Sequence, residues 1–296
     1  MLRVRHETRY DYRGTASLAY ELAWQTPLND RQQNCLQHKI RIDPKPKYQT
    51  TKVDFFGNTV TYFEVHKPHH QLTVVSDAMV ERVYRSREPL VAVSWESCRF
   101  EALTDARLRA QFTQFAYPSQ QAPAHPEIAE YVAALAVPGK SILLLVSELT
   151  QAIYTDFKYC TGSTHIDTTV SEVWETREGV CQDFAHIAVT ALRSLGMMTA
   201  YVSGYLLTHP AEGETKRVGA DASHAWYAVF VPGYGWLHSD PTNNIWVEDE
   251  HITVALGRDY GDVPPLKGLC YGGGKRQPEV MVTVERISKE EVGYGY

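Results

Sequence analysis

Gly179-Val180-Cys181-Gln182-Asp183-Phe184-Ala185-His186 is the stretch whose reading decides the fold. From Cys181 to Gly196 the apolar residues Phe184, Ala185, Ala188, Leu192 and Leu195 recur at helical spacings, which predicts a helix with one stripe turned to a core. Cys181 opens that helix on the same stripe. Gly179 supplies permissive backbone before it, and Gly196 reads as its left-handed stop. A thiol in a first turn meets the positive end of the helix dipole and unpaired N–H groups, which favour a nucleophilic sulfur. A buried structural cysteine would fit the same pattern, because free Cys is among the most buried residue types.

Two downstream segments add the missing chemistry. Ser223-His224-Ala225-Trp226-Tyr227-Ala228-Val229-Phe230 and Trp236-Leu237-His238-Ser239-Asp240-Pro241-Thr242-Asn243 flank the turn Val231-Pro232-Gly233-Tyr234-Gly235. The pattern predicts an antiparallel hairpin with His224 and Asp240 at one end. A thiol nucleophile needs a base, and the imidazole needs a third group to hold its tautomer. Cys181, His224 and Asp240 supply those roles.

These residues, together with Tyr201-Val202-Ser203-Gly204-Tyr205, resemble the bacterial transglutaminase-like proteins. The opening Arg5-His6-Glu7-Thr8-Arg9-Tyr10-Asp11-Tyr12 resembles their separate N-terminal β region. Ile252 to Tyr260, followed by Asp262-Val263-Pro264-Pro265, resembles their closing segment. The resemblance implies an α+β chain: a papain-like, transglutaminase-like catalytic core with a Cys/His/Asp triad, preceded by an antiparallel, sandwich-like β domain.

Composition sets the outer bounds. The 296 residues and 44% hydrophobic content suit two domains, here placed at 1–100 and 101–296 with the tail in the second. A net charge of −6 without a basic run argues against nucleic acid or an anionic membrane as partner. No apolar stretch approaches the roughly 20 residues that span a bilayer. The N-terminus lacks a signal-peptide pattern, so the expectation is a cytoplasmic protein. Five scattered cysteines suit neither a disulfide framework nor a structural zinc site.

The first hundred residues read as successive strands, with Val4, His6, Thr8, Tyr10 and Tyr12 alternating against Arg5, Glu7, Arg9 and Asp11. Val53 to Phe56 and Val60 to Val65 are expected to flank a hairpin loop, and His66, His69 and His70 to sit in a solvated turn. Helices are expected within Leu103 to Phe115, from Pro126, over Ser141 to Phe157 with Leu144, Leu145, Leu149 and Ile153 buried, and from Val170 to Arg177. Residues 208–222 form a charged excursion just before His224.

Around the nucleophile, His165 is the nearest rival base, but its neighbours suggest a loop. His186 lies five residues after Cys181, about 140° round the helix, which suits packing. An oxyanion hole draws first on the Cys181 backbone N–H. Gln182, Asp183 and Tyr159 are further candidates for oxyanion or substrate contact. For Gln182 a role at the helix start or a solvent-facing position competes, and the helix dipole alone accounts for Asp183.

The resulting expectation is cysteine-dependent acyl transfer on an amide or isopeptide bond of a protein or peptide substrate, to water or to an amine. No cofactor or metal is implied, and no acidic loop suits calcium. Two other readings remain open: an idle papain-like binding scaffold, and a zinc enzyme using Cys181, His224 and Asp240 as ligands.

Overall fold

The alternating opening of the chain becomes one long strand. In the computed structural model, which describes residues 1–209, 219, 221, 223–274 and 278–288, β1 runs Leu2–Ala23. After it come β2 (Gln33–Asp43), β3 (Tyr48–Val53), β4 (Thr59–Val65) and β5 (His69–Arg82). Four helices follow: α1 (Trp95–Thr104), α2 (Ala106–Phe112), α3 (Pro126–Leu135) and α4 (Ile142–Asp156). Next are β6 (Lys158–Tyr159), α5 (Val170–Thr176), β7 (Glu178–Gly179) and α6 (Cys181–Ser194). The chain then runs through β8 (Thr199–Leu206), β9 (Ser223–Val231), β10 (Gly235–Asp240), β11 (Ile245–Trp246) and β12 (His251–Gly257). It closes with β13 (Leu266–Gly272) and β14 (Glu279–Arg286). No described helix is long and apolar enough to cross a membrane.

β1 is the axis of an antiparallel sheet ordered β2-β5-β1-β4-β3. Its register with β5 slips between Asp11 and Ala16, and beyond that point Ala19–Ala23 pair with β4 instead. Such an irregularity bends a strand. The sheet folds over and closes Ala19, Ala23, Phe63, Val65, Leu72 and Val74 into a cluster of their own. This is the sandwich-like antiparallel region expected at the N-terminus.

The end of the chain returns to the same strand. β13 pairs with Ala16–Ala23 and β14 with Leu2–Arg9. Val282 and Val284 on β14 join Leu2, Val4, Ala78 and Val80 in the same buried cluster as Leu145, Leu149, Phe184 and Leu192. The β region and the helical half therefore share one apolar core.

In the second half a sheet ordered β11-β10-β9-β8-β12 lies against α6, with α3, α4 and α5 on the helix's other sides. The residues of α6 from Asp183 to Arg193 are all buried. Arg193 is tolerated there because its guanidinium donates to the carbonyls of Phe115, Thr199 and Arg258. Gly196 takes φ +76°, the left-handed stop expected of it.

Several boundaries differ from expectation. The first strand of the β3–β4 hairpin ends at Val53, because Asp54 Oδ1 accepts from the N–H groups of Phe56 and Asn58 and makes the segment a turn. The short helix expected within Leu103 to Phe115 is α2, which starts only at Ala106 because Asp105 caps it through Arg107 and Leu108 and separates it from α1. On α4 the buried set is Ile142, Leu145, Val146, Leu149 and Ile153, whereas Leu144 is 50% exposed. His69 is buried, its Nδ1 donating to Lys67 O at 2.8 Å, while its ring meets Tyr12 edge-on. Most of the 208–222 excursion lies outside the described residues.

Candidate active site

The start of α6 is held by a short parallel bridge and an acidic cap. β6 pairs with β7, setting Tyr159 opposite Gly179, and Cys160 N donates to Gly179 O at 2.9 Å. Asp183 Oδ2 accepts from Val180 N at 2.8 Å and from the Thr164 hydroxyl at 2.7 Å. This pulls the turn before Cys181 tight, the work of a helix cap. Gly179 is needed for closeness, not for a left-handed backbone: a Cβ there would lie 2.9 Å from Asp183 Cβ. Cys181 then occupies the first helical position, half-buried, where its backbone N–H has no partner within the helix.

The hairpin delivers the imidazole. β9 and β10 pair antiparallel around the turn at 232–234, and β8 lies beside β9. His224 Nε2 donates to Asp240 Oδ2 at 2.7 Å. The side chain of Cys181 interacts with the same imidazole. Cys181, His224 and Asp240 thus come together at one end of the hairpin.

Asp240 is fully buried yet amply satisfied. Oδ1 accepts from Thr242 N at 2.9 Å and Asn243 N at 3.3 Å, the turn geometry an Asp favours. Oδ2 accepts from His224, from Asn243 Nδ2 at 2.7 Å, and from His251 Nε2 at 3.3 Å. The end of β10 is fixed by Thr150 on α4, whose hydroxyl meets Tyr227 at 2.5 Å and Ser239 at 2.7 Å.

The electrostatics follow from burial and pairing. Burial pulls the His224 imidazole down, but the hydrogen bond and charge of Asp240, together with Cys181, outweigh it and hold the pKa up to about 10. Burial would raise Asp240, yet the hydrogen bonds from His224 and His251 hold it well below the usual carboxylate range. The pair therefore rests charged, and buried ions of this kind persist only when paired and hydrogen-bonded.

Cys181 and His224 open onto a cleft of about 480 Å³, walled by Tyr154, Tyr159, Leu206, Thr208, Ser223, Thr242 and Asn243. Tyr159 is half-exposed on that wall, its ring edge-on to Phe184. Burial, then the charge of Cys181, raises its phenol pKa, so it stays a proton donor at neutral pH. Gln182 is half-buried and outside the cleft lining, and the Asp183 carboxylate is turned to the cap. His165 is exposed on its loop. His186 is buried, stacks on Tyr201 at 4.8 Å and accepts from Tyr260 N at 3.2 Å, a packing role. A second cavity, of about 430 Å³ around Phe112, Phe230 and Trp236, lies at the opposite end of the hairpin and holds none of these groups.

Tyr154, Asn243 as a carboxylate ligand, and His251 are contributors the sequence reading did not name. Asn243 carries a signal, since Asp-Pro-Thr-Asn is turn chemistry; His251 carries none. The ligand atoms of His224, Asp240 and His251 lie within 4.8 Å of one another, a set that could hold a divalent cation among the described residues. Such an ion would have to displace the imidazole protons that Asp240 Oδ2 accepts.

Comparison with known proteins finds relatives over most of the chain. The model for the bacterial transglutaminase-like N-terminal region matches residues 2–81, and that for the transglutaminase-like superfamily matches residues 130–241. An uncharacterized protein of Mycobacterium tuberculosis is 40% identical over 279 residues, covering 91% of this chain and 87% of that protein. A crystal structure of a candidate cysteine protease from Cytophaga hutchinsonii is similar with a TM-score of 0.72 at 16% identity, covering 97% of this chain and 92% of that one. A protein-glutamine gamma-glutamyltransferase of Pseudomonas aeruginosa is 33% identical over 107 residues, 34% of this chain and 16% of that protein.

Proposed function

Because this chain belongs to the transglutaminase-like superfamily and carries the bacterial transglutaminase-like N-terminal region, we propose that it is a cysteine enzyme transferring the acyl group of an amide or isopeptide bond. The observation that carries the reading is one imidazole facing both a buried carboxylate, at 2.7 Å, and a cysteine at a helix start on a cleft wall.

The chemistry runs in two halves. Cys181 Sγ attacks the carbonyl carbon while His224 holds the proton on the nitrogen that faces the sulfur. The negative charge that develops on the carbonyl oxygen is met by the Cys181 backbone N–H, with the Tyr159 phenol as second donor. His224 passes its proton to the leaving nitrogen, the C–N bond breaks, and a thioester on Cys181 remains. In the second half His224 takes a proton from the acceptor, which attacks the thioester and releases the sulfur. Asp240 keeps the ring oriented throughout.

A protein or peptide chain is the substrate class the cleft suits, with Tyr154, Tyr159 and Leu206 as apolar walls and Ser223, Thr242 and Asn243 as polar ones. Water is the acceptor of choice because it needs no second binding site. Transfer to an amine is the second reading, favoured by the relative whose name is protein-glutamine gamma-glutamyltransferase.

The test is to incubate the protein with a peptide library, with and without a primary amine, and follow intact mass. A mass gain on Cys181 that is absent in Cys181→Ala and His224→Ala supports the reading. Amine-labelled peptide selects transfer, and cleaved peptide without label selects hydrolysis. No Cys181 adduct across the library, with sulfur reactivity indifferent to His224, would favour the idle scaffold instead.

A further inference from the structure

Two imidazoles share the Asp240 carboxylate, and only one of them reaches the cleft. His251 opens β12, which pairs with β8 so that His251 lies opposite Leu206 on the cleft wall. The ring is 1% exposed and meets the Trp226 indole edge-on at 5.2 Å, while Trp226 Nε1 donates to His238 Nδ1 at 3.1 Å behind it. Resting on the proposed Cys181/His224/Asp240 chemistry, we infer that His251 is a positioning residue for that reaction: it donates Nε2–H to the same Asp240 oxygen that receives His224, and so fixes that oxygen in place.

The proton location follows from partners. Asp240 Oδ2 stands 3.3 Å from Nε2, whereas Nδ1 is buried without a partner. The single proton of a neutral ring therefore sits on Nε2. The titratable and charged groups that act on the ring are Asp240, His224, His238 and Arg82. Burial, first among these influences, keeps it neutral.

A neutral donor at this point does what a charged one could not. His224 gains and loses a proton in every turnover, so its pull on Asp240 rises and falls. His251 and Asn243 keep theirs, and the carboxylate does not swing when the imidazole becomes neutral. An apolar ring at position 251 would fill the space against Trp226 but leave the oxygen one donor short, and a buried charged acceptor that loses a donor is costly.

The experiment measures Cys181 alkylation by iodoacetamide against pH in the full chain, for the wild type, His251→Phe, His251→Gln and His224→Ala. Gln places an amide N–H where Nε2 stands. The inference predicts that His251→Phe slows alkylation at neutral pH about tenfold and displaces the profile along the pH axis, while His251→Gln returns to within roughly threefold of wild type. Wild-type behaviour in both variants, or equal loss in both, overturns it, because a space-filling role would not distinguish them. Should His251→Phe not fold, His251→Asn, whose amide falls short of Asp240, takes its place against Gln. A profile unchanged by His224→Ala would sink the proposed chemistry itself, whereas a response to His224→Ala with none to His251 sinks this inference alone.

Discussion

Asp240 carries no bond-making step, and its removal is therefore the finest residue-scale probe. Asp240→Asn keeps the shape but loses the charge that orients His224, and turnover should fall ~10²- to 10⁴-fold while Cys181→Ala removes it. The same pair writes a pH signature into stability. His224 is raised from its ordinary 6.5 to about 10, so its stabilisation is fully present below 6.5 and is lost as pH rises through about 10. Asp240 is depressed, so its share is present above 3.8 and is lost as pH falls through its lower folded value. Melting temperature should fall as pH rises from about 6.5 to about 10 and level off above that, and His224→Ala should lose that alkaline slope. Cys181, His224 and Asp240 are legible in the sequence because each sits in a local pattern that fixes its element. His251 is not: it meets Asp240 from a strand that is not a neighbour of β10, and no spacing announces such a meeting.

The elements show where pattern suffices and where side chains decide. The stripe on α6 predicts the helix, and Gly196 its end, because burial and backbone geometry act locally there. The division between α1 and α2 turns on the Asp105 side chain, and the end of β3 on Asp54; each competes with the backbone for hydrogen bonds. Leu144 falls outside the α4 stripe because Val146 lies in phase with Ile142 and Leu149. Asp183 belongs to this scale, since it serves the start of α6. Asp183→Ala should cost about 1–2 kcal/mol in urea unfolding by freeing Val180 N and Thr164. It should also slow Cys181 alkylation, because the helix start that holds the sulfur frays. Unchanged stability with unchanged alkylation would mean the cap does not set the nucleophile.

At the scale of the molecule the two sequence regions are tied at both ends. β14 lies along β1, and the Asn58 amide both donates to Leu256 O and accepts from Leu256 N at 2.8 Å, joining the β3–β4 hairpin to β12. Strand pairing across more than two hundred residues leaves no mark on local periodicity, so the closure of β13 and β14 onto β1 is invisible to sequence patterning. With one shared core, tryptophan fluorescence and the enhanced alkylation of Cys181 should be lost together in urea. Asn58→Ala should lower that single transition by about 2 kcal/mol. Separate transitions would show that the two regions unfold independently.

The central claim is that one imidazole is held by Asp240 and Cys181 at once, and nitrogen-15 NMR of the His224 ring tests it without any substrate. The account predicts a ring protonated up to about pH 10, with the midpoint falling in both Asp240→Asn and Cys181→Ala. A His224 midpoint near the ordinary 6.5, indifferent to both substitutions, would contradict it.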